Sequence, residues 1–224
     1  MQLYIGNKNY SSWSLRPWLL MTHFEIPFEE VKLRLAWNED SDFKRTLLRL
    51  APTGRVPLLI DDGLAIWDTL AIVEYLAEKY PEKQLWPAPV RSRARARSLC
   101  AEMHAGFGAL RSQFPMNIEA SLPEVGVRCI REVPEATADL HRIDAMWSRQ
   151  LDEHGGPFLF GGFSAADAYF APVCARIRTY GLPVGDASTG YVERIFELPA
   201  MKTWCDAARA EHDFIVEDEP YRTR

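Results

Sequence analysis

The stretch Gly54-Arg55-Val56-Pro57-Leu58-Leu59-Ile60, running through Asp61-Asp62-Gly63 and Leu64 to Trp67 into Asp68-Thr69-Leu70-Ala71-Ile72-Val73-Glu74-Tyr75-Leu76, leaves this chain few ways to fold. Two short apolar runs separated by Asp-Gly read as a tight β-hairpin. Proline cannot donate to a sheet ladder, so a strand entered through Val56-Pro57 offers unpaired backbone groups at its start. The helical pattern that opens at Asp68 aims free amides beyond the hairpin, a place suited to an anion. The segment therefore predicts a frame for a small extended peptide that carries a carboxylate.

The residues before this frame alternate between two periodicities, the mark of a mixed sheet-and-helix unit. Gln2 to Ile5 reads as a strand, Ser14 to Phe24 as a helix, Phe28 to Leu35 as a strand and Asp42 to Leu50 as a helix. With the hairpin and a last helix from Asp68 to about Lys79, the order is βαβαββα. Pro81, Pro87 and Pro89 stiffen the chain and stop helices. This places a first domain at 1–80, a linker at 81–89 and a second domain at 90–224. Strand signals vanish beyond the linker. Helices are expected over 91–114, 134–154, 165–180 and 199–211, with weaker helical character over 191–196. No repeat or low-complexity segment is present, and the acidic Glu217-Asp218-Glu219 before Pro220 reads as a solvated end.

The hydrophobic share of 47% with 25% charged residues is ordinary for a globular chain, and no apolar run reaches the roughly 18 residues of a membrane helix. The N-terminus lacks a secretion signal's basic, apolar and small-residue regions, so the cytoplasm is the expected location. A net charge of −5 gives no reason to expect nucleic acid or an anionic membrane as partner. The run Arg91, Arg93, Arg95, Arg97 has period two, which on a helix spreads charge over a solvated surface. Cys100, Cys129, Cys174 and Cys205 form no Cys-x-x-Cys pair and no metal-ligand spacing. They read as reduced core fillers, with no metal site expected.

A βαβαββα unit with Val-Pro before its third strand, a proline-bearing linker and an all-helical second half resembles the cytosolic glutathione transferases. The resemblance spans nearly the whole chain. Its most specific parts are Ser11-Ser12-Trp13-Ser14-Leu15-Arg16-Pro17, the Val-Pro segment, Asp68 to Leu76, and Phe163-Ser164-Ala165-Ala166-Asp167. The first stretch is most similar to the zeta class, which reads Ser-Ser-Cys-Ser-x-Arg; Trp13 stands in place of that cysteine. The resemblance implies a thioredoxin-like N-terminal domain, an all-helical C-terminal domain and a cytosolic homodimer. It also implies glutathione as co-substrate, with detoxification of electrophilic small molecules as the activity.

Ser11 and Ser12 fall between the first strand and the first helix. A hydroxyl there either caps the helix or, as the resemblance implies, donates to a bound thiol and favours its thiolate, aided by the helix dipole. Counted back from Arg16, Ser12 matches the serine of the family's serine-type classes and Ser11 the first zeta serine, so the resemblance ranks Ser12 first. Only ~5% of X–Pro bonds in folded proteins are cis, so Val56-Pro57 alone reads as trans. The resemblance implies cis, with the Val56 backbone pairing to the cysteinyl part of glutathione. It also places the γ-glutamyl end at Asp68 and Thr69, and the glycyl carboxylate near Arg55. His104, Phe107 and Arg111 share helical spacing on the first long helix of the second domain and are candidates for the electrophile pocket. Arg16 is expected to be structural and paired with an acid across the domain interface. Trp13, Trp18, Trp37 and Trp67 are expected to be packing residues, Trp13 also shielding the thiol. Ser164-x-x-Asp167 is a capping box, a folding signal with no catalytic part.

Three other activities share parts of this pattern. A zeta-like serine motif also suits glutathione-dependent cis–trans isomerisation of the maleylacetoacetate type. A non-catalytic interaction module keeps the same fold, but retention of Ser11, Ser12, Pro57 and Thr69 argues for ligand binding. A disulfide reductase usually needs a cysteine in the active loop, and Tyr10-Ser11-Ser12-Trp13 supplies none.

Overall fold

The computed structural model describes residues 1–223. It opens β1 (Gln2–Ile5), α1 (Ser12–His23), β2 (Glu29–Lys32), α2 (Asp42–Leu50), β3 (Leu58–Asp61), β4 (Leu64–Trp67), α3 (Thr69–Lys79), which is the expected βαβαββα order. The sheet order is β2-β1-β3-β4, with β1 parallel to β2 and both other pairs antiparallel. Asp61 faces Leu64 across the hairpin. Between them Asp62 (φ 47°) and Gly63 (φ 81°) adopt the left-handed backbone that a two-residue turn of this twist requires. Hydrogen bonds from Lys79 and Tyr75 hold the Asp61 carboxyl below its ordinary range and tie the hairpin to α3.

Strand side chains alternate between two cores. Leu3, Ile5 and Leu59 join the main core with α1, α3 and the helical half, while Leu58 joins a smaller one with Tyr10, Leu35, Phe43 and Leu47. Helix α1 is the hinge of the architecture, because one of its faces meets the α/β unit and another the helical half. Trp18 on that second face meets Trp204 edge-on, with ring centroids 5.1 Å apart.

The helical half comprises α4 (Val90–Ala105), α5 (Gly108–Gln113), α6 (Pro123–Glu132), α7 (Pro134–His154), α8 (Ala165–Tyr180), α9 (Asp186–Glu197) and α10 (Pro199–Ala210). The single helix expected over 91–114 is two helices. Gly106 turns extended and Phe107 adopts a left-handed φ of 56°, while the Arg111 guanidinium donates to the carbonyls of His104 and Gly106 at 3.2 and 3.1 Å and closes the end of α4. Helix α6 was not anticipated, and α9 is longer than its weak pattern indicated. Arg97 makes a two-point contact with Glu74 at 2.7 and 2.8 Å; Arg91 and Arg95 are exposed. All four cysteines are buried and unpaired, and burial pushes the Cys100, Cys174 and Cys205 thiols up. Among the described residues no helix is long and apolar enough to cross a membrane.

The expected solvated tail is corrected. Ile215 and Glu219 are only 2% and 5% exposed, because Ile215 enters the smaller core and Glu219 accepts hydrogen bonds from Tyr10, Asn117 and Arg222.

Gly126 lets α6 lie against the end of α8: a Cβ built there would stand 1.8 Å from the Tyr180 carbonyl oxygen. Neither backbone can yield without moving its helix. Gly126→Ala is therefore expected to cost about 2 kcal/mol, within the range for overpacking, read as a lower urea midpoint at unchanged slope.

Candidate active site

Three chain segments converge at one end of the sheet. The register Leu58↔Trp67 puts the Val56–Pro57 bond and the Asp68–Thr69 pair at the same end of the hairpin. The Val56–Pro57 bond is cis. Among the described residues, neither the amide nor the carbonyl of Val56 has a backbone partner. The third segment is the loop from β1 to α1, which carries the serines.

Ser11 is the N-cap of α1; its hydroxyl accepts from the Ser14 amide at 3.4 Å and donates to the Ser14 hydroxyl at 2.7 Å. Ser14 also accepts the Gly6 amide at 3.2 Å. Ser12, the first residue of α1, is partly exposed. The Ser11 hydroxyl is thus spent on the cap of α1.

Asp68 caps α3 by accepting the Leu70 amide at 2.9 Å, and its other oxygen lies 3.3 Å from His104 Nε2. The Thr69 hydroxyl accepts from Tyr169 at 2.7 Å, which fastens the start of α3 to α8. Burial pushes the Tyr169 hydroxyl well up.

A cleft of about 650 Å³ opens between the two halves. Ser11, Ser12, Trp13, Arg55 and Val56 line one wall and Arg111, Ser112, Met116 and Arg176 the other. Of the three pocket candidates on the helical side, only Arg111 lines it. His104 pairs with Asp68 and meets Trp13 edge-on at 5.1 Å. Phe107 is 7% exposed and faces the core, because the break after α4 takes it out of helical phase. Trp13 is a wall residue, and Trp18 packs as expected. Trp37 and Trp67 do not pack: they are 57% and 42% exposed, and Trp37 borders the cleft.

Arg16 is buried but, among the described residues, has no acid partner. Its guanidinium lies 4.2 Å from the Trp13 ring and 4.7 Å from the Tyr169 ring, with Nε and Nη1 unbonded. Aromatic faces replace the expected salt bridge, and burial lowers the group to about 10. Arg176 was missed altogether. Its Nε donates to the Phe114 carbonyl at 2.7 Å and burial lowers it to about 9. The signal for it was an arginine inside the otherwise apolar run Ala168 to Ile177. Tyr10, Trp37, Lys44 and Asp218 also line the cleft unannounced.

A second depression, about 560 Å³ in volume, is lined by α8, α9 and α10 residues such as Arg178, Glu193, Lys202 and Asp206. It contains none of the groups above, and its walls are mostly charged surface.

A thioredoxin-like sheet with a cis-proline rim, set against a helical half, defines the class of architecture, and similarity to known proteins narrows it. Residues 10–79 match the family described as glutathione S-transferase, N-terminal domain, and residues 130–207 match glutathione S-transferase, C-terminal domain. The chain is 37% identical over 193 residues to glutathione S-transferase GstB of Escherichia coli K12, covering 82% of this chain and 88% of that one. It is 34% identical over 210 residues to glutathione S-transferase 1 of Dianthus caryophyllus, covering 92% and 86%. A solved glutathione transferase homolog from Burkholderia, with bound glutathione, superposes with a TM-score of 0.69 at 25% identity, covering 93% of this chain and 98% of that one. This chain belongs to the glutathione S-transferase family.

Proposed function

We propose that the cleft binds glutathione and activates its thiol for attack on an electrophilic small molecule. The observation that carries this reading is the convergence of three elements on one rim: the cis Val56–Pro57 bond, the N-terminus of α3 and the Ser12 hydroxyl at the N-terminus of α1. The Val56 amide and carbonyl pair with the cysteinyl backbone as a neighbouring strand would. The α3 terminus takes the γ-glutamyl carboxylate, with Asp68 near its ammonium. Arg55, exposed and lining the cleft beside Val56, takes the glycyl carboxylate. Ser12 then faces the thiol. The S–H bond breaks with its proton passing to solvent, the sulfur bonds to the electrophilic carbon, and the acceptor's leaving group departs with the bonding electrons.

The same reading carries residence in the cytoplasm and a homodimer. Exposed Leu64 and Trp67 on the outer strand β4 suit a second copy of the chain.

Calorimetric titration of glutathione into the wild type and Arg55→Ala tests it. The wild type binds, and Arg55→Ala is expected to raise Kd and KM roughly tenfold with kcat nearly unchanged, because one charge-assisted hydrogen bond present in ground and transition states alike is lost. No heat from the wild type at millimolar glutathione overturns the enzyme reading and leaves an interaction module.

A further inference from the structure

We propose that the C-terminal segment from Glu211 to Glu219 is a working part of the active loop, with Glu219 as the positioning residue that sets Ser12 through Tyr10. This rests on the glutathione reading above and adds to it a residue at the opposite end of the chain.

The loop between β1 and α1 is gripped residue by residue from the C-terminus. Asn7 Nδ2 donates to Asp213 at 2.9 Å. The Lys8 amide donates to Glu211 at 2.9 Å, and the Lys8 carbonyl accepts from Trp204 Nε1 at 3.0 Å. The Asn9 amide lies 3.4 Å from the second Glu211 oxygen. The Tyr10 hydroxyl donates to Glu219 at 2.7 Å, with the Asp213 carbonyl 3.2 Å away. The loop's own turn is one set of backbone bonds, in which Asn7 accepts from Tyr10 and Ser11 and Tyr10 accepts from Ser12 at 2.8 Å.

Tyr10 is the last link before the serines, and Glu219 fixes its far end. Burial works to raise the Glu219 carboxyl, yet hydrogen bonds from Arg222, Tyr10 and Asn117 outweigh it and hold the group below its ordinary value. Asn117 is itself anchored, since its carbonyl accepts the Thr179 hydroxyl of α8 at 2.6 Å. The chain of contacts therefore runs from α8 through Asn117, Glu219 and Tyr10 to Ser12. Ile215 packs beside the Tyr10 ring in the smaller core, and Asp218 borders the cleft. A tail that served only to fasten the two halves would not need to terminate on Tyr10, the residue that directly precedes the two serines and whose carbonyl accepts the Ser12 amide. Because a displacement of about 1 Å at a reacting group costs on the order of a hundredfold in rate, even a partial shift of this loop is measurable.

The test uses the full chain carrying Tyr10→Phe, Glu219→Ala or Glu219→Gln. Four quantities are read well below the unfolding temperature: Tm, glutathione Kd, kcat with an activated aryl halide, and the bound thiol's pKa by ultraviolet titration of the thiolate. Tyr10→Phe and Glu219→Ala are expected to lower kcat about tenfold and to raise the bound thiol's pKa by about one unit, the equivalent shift in free energy. Kd read at a pH below both bound-thiol pKa values stays within about twofold, because Arg55, Val56 and Thr69 are untouched; above them it weakens in step with the raised thiol pKa. Glu219→Gln, which still accepts from Tyr10, recovers most of the rate. Lower Tm in these variants with wild-type kcat and thiol pKa overturns the proposal and leaves a fastening role. If Glu219→Ala does not fold, Tyr10→Phe, which removes a single oxygen, decides alone. Glutathione bound by the wild type with unmoved thiol pKa in the variants sinks only this inference; no binding by the wild type sinks the reading beneath it as well.

Discussion

Ser12→Ala is expected to raise the pKa of the bound glutathione thiol by about 1–2 units and to lower kcat/KM near pH 6.5 by about 10–100-fold. A hydrogen bond to a charged partner contributes about 1.5–3 kcal/mol, and one pKa unit corresponds to about 1.4 kcal/mol. The sign follows from which form the hydroxyl favours. Donation to the thiolate lowers the thiol's pKa below its ordinary ~8.5, so removal of the donor raises it and empties the reactive form at neutral pH. Above the raised pKa both proteins hold a thiolate, and the deficit narrows. Parallel pH–rate profiles of wild type and variant check this, and a deficit constant across pH would assign Ser12 to packing. Ser11→Ala makes the contrast. Its hydroxyl already serves Ser14, so its loss is expected as about 1 kcal/mol of stability with a smaller effect on the thiol.

The parts of the fold that were legible in the sequence are those whose signals are local. Asp62-Gly63 demands a left-handed turn, and the strands on either side of it follow. Helices α2, α7 and α8 end where caps, prolines and glycines mark them. The break after α4 had a local signal too, in Gly106 and Gly108 flanking Phe107, but the apolar spacing on either side masked it. Helix α6 was signalled by Pro123 at its first position with Val125, Cys129 and Ile130 on one face; the polar residues interleaved with them hid the stripe. The tail was illegible for a different reason. Ile215 and Glu219 are buried by Tyr10 and Leu58, partners remote in sequence, and no periodicity in a short acidic segment encodes such partners. The proposed site divides the same way. Ser12, Val56, Pro57, Asp68 and Thr69 sit at element ends whose positions the pattern defines. Arg176, Asp218 and Trp37 reach the cleft only through tertiary packing, and the pairing of Arg16 with rings in place of an acid depends on where Tyr169 falls.

Asp167→Ala is expected to destabilise the protein by about 4 kcal/mol, more than any other single change considered. Asp167 is fully buried at the start of α8. One carboxyl oxygen accepts from the Leu159 amide at 3.1 Å and the Tyr191 hydroxyl at 3.0 Å, and the other from the Ser164 amide at 2.9 Å and the Ser164 hydroxyl at 3.0 Å. Burial pushes the group up to about 6 in spite of these four donors. Truncation strands four buried donors, each costing about 1–3 kcal/mol when unpaired, though they share one cavity and do not add in full. For a chain of this length about 4 kcal/mol corresponds to a fall in Tm of roughly 10 °C. Asp167→Asn keeps the volume and one acceptor oxygen but turns an amide N–H₂ toward two donors, so it is expected to fall between wild type and alanine. Thermal unfolding of the three proteins at pH 7.5 checks the order. Because α8 also carries Tyr169 and Thr179, which anchor Thr69 and Asn117, the loss should reach the cleft. In the destabilised but folded fraction, glutathione affinity and kcat are expected to decline together, unlike the thiol-specific effect of Ser12→Ala.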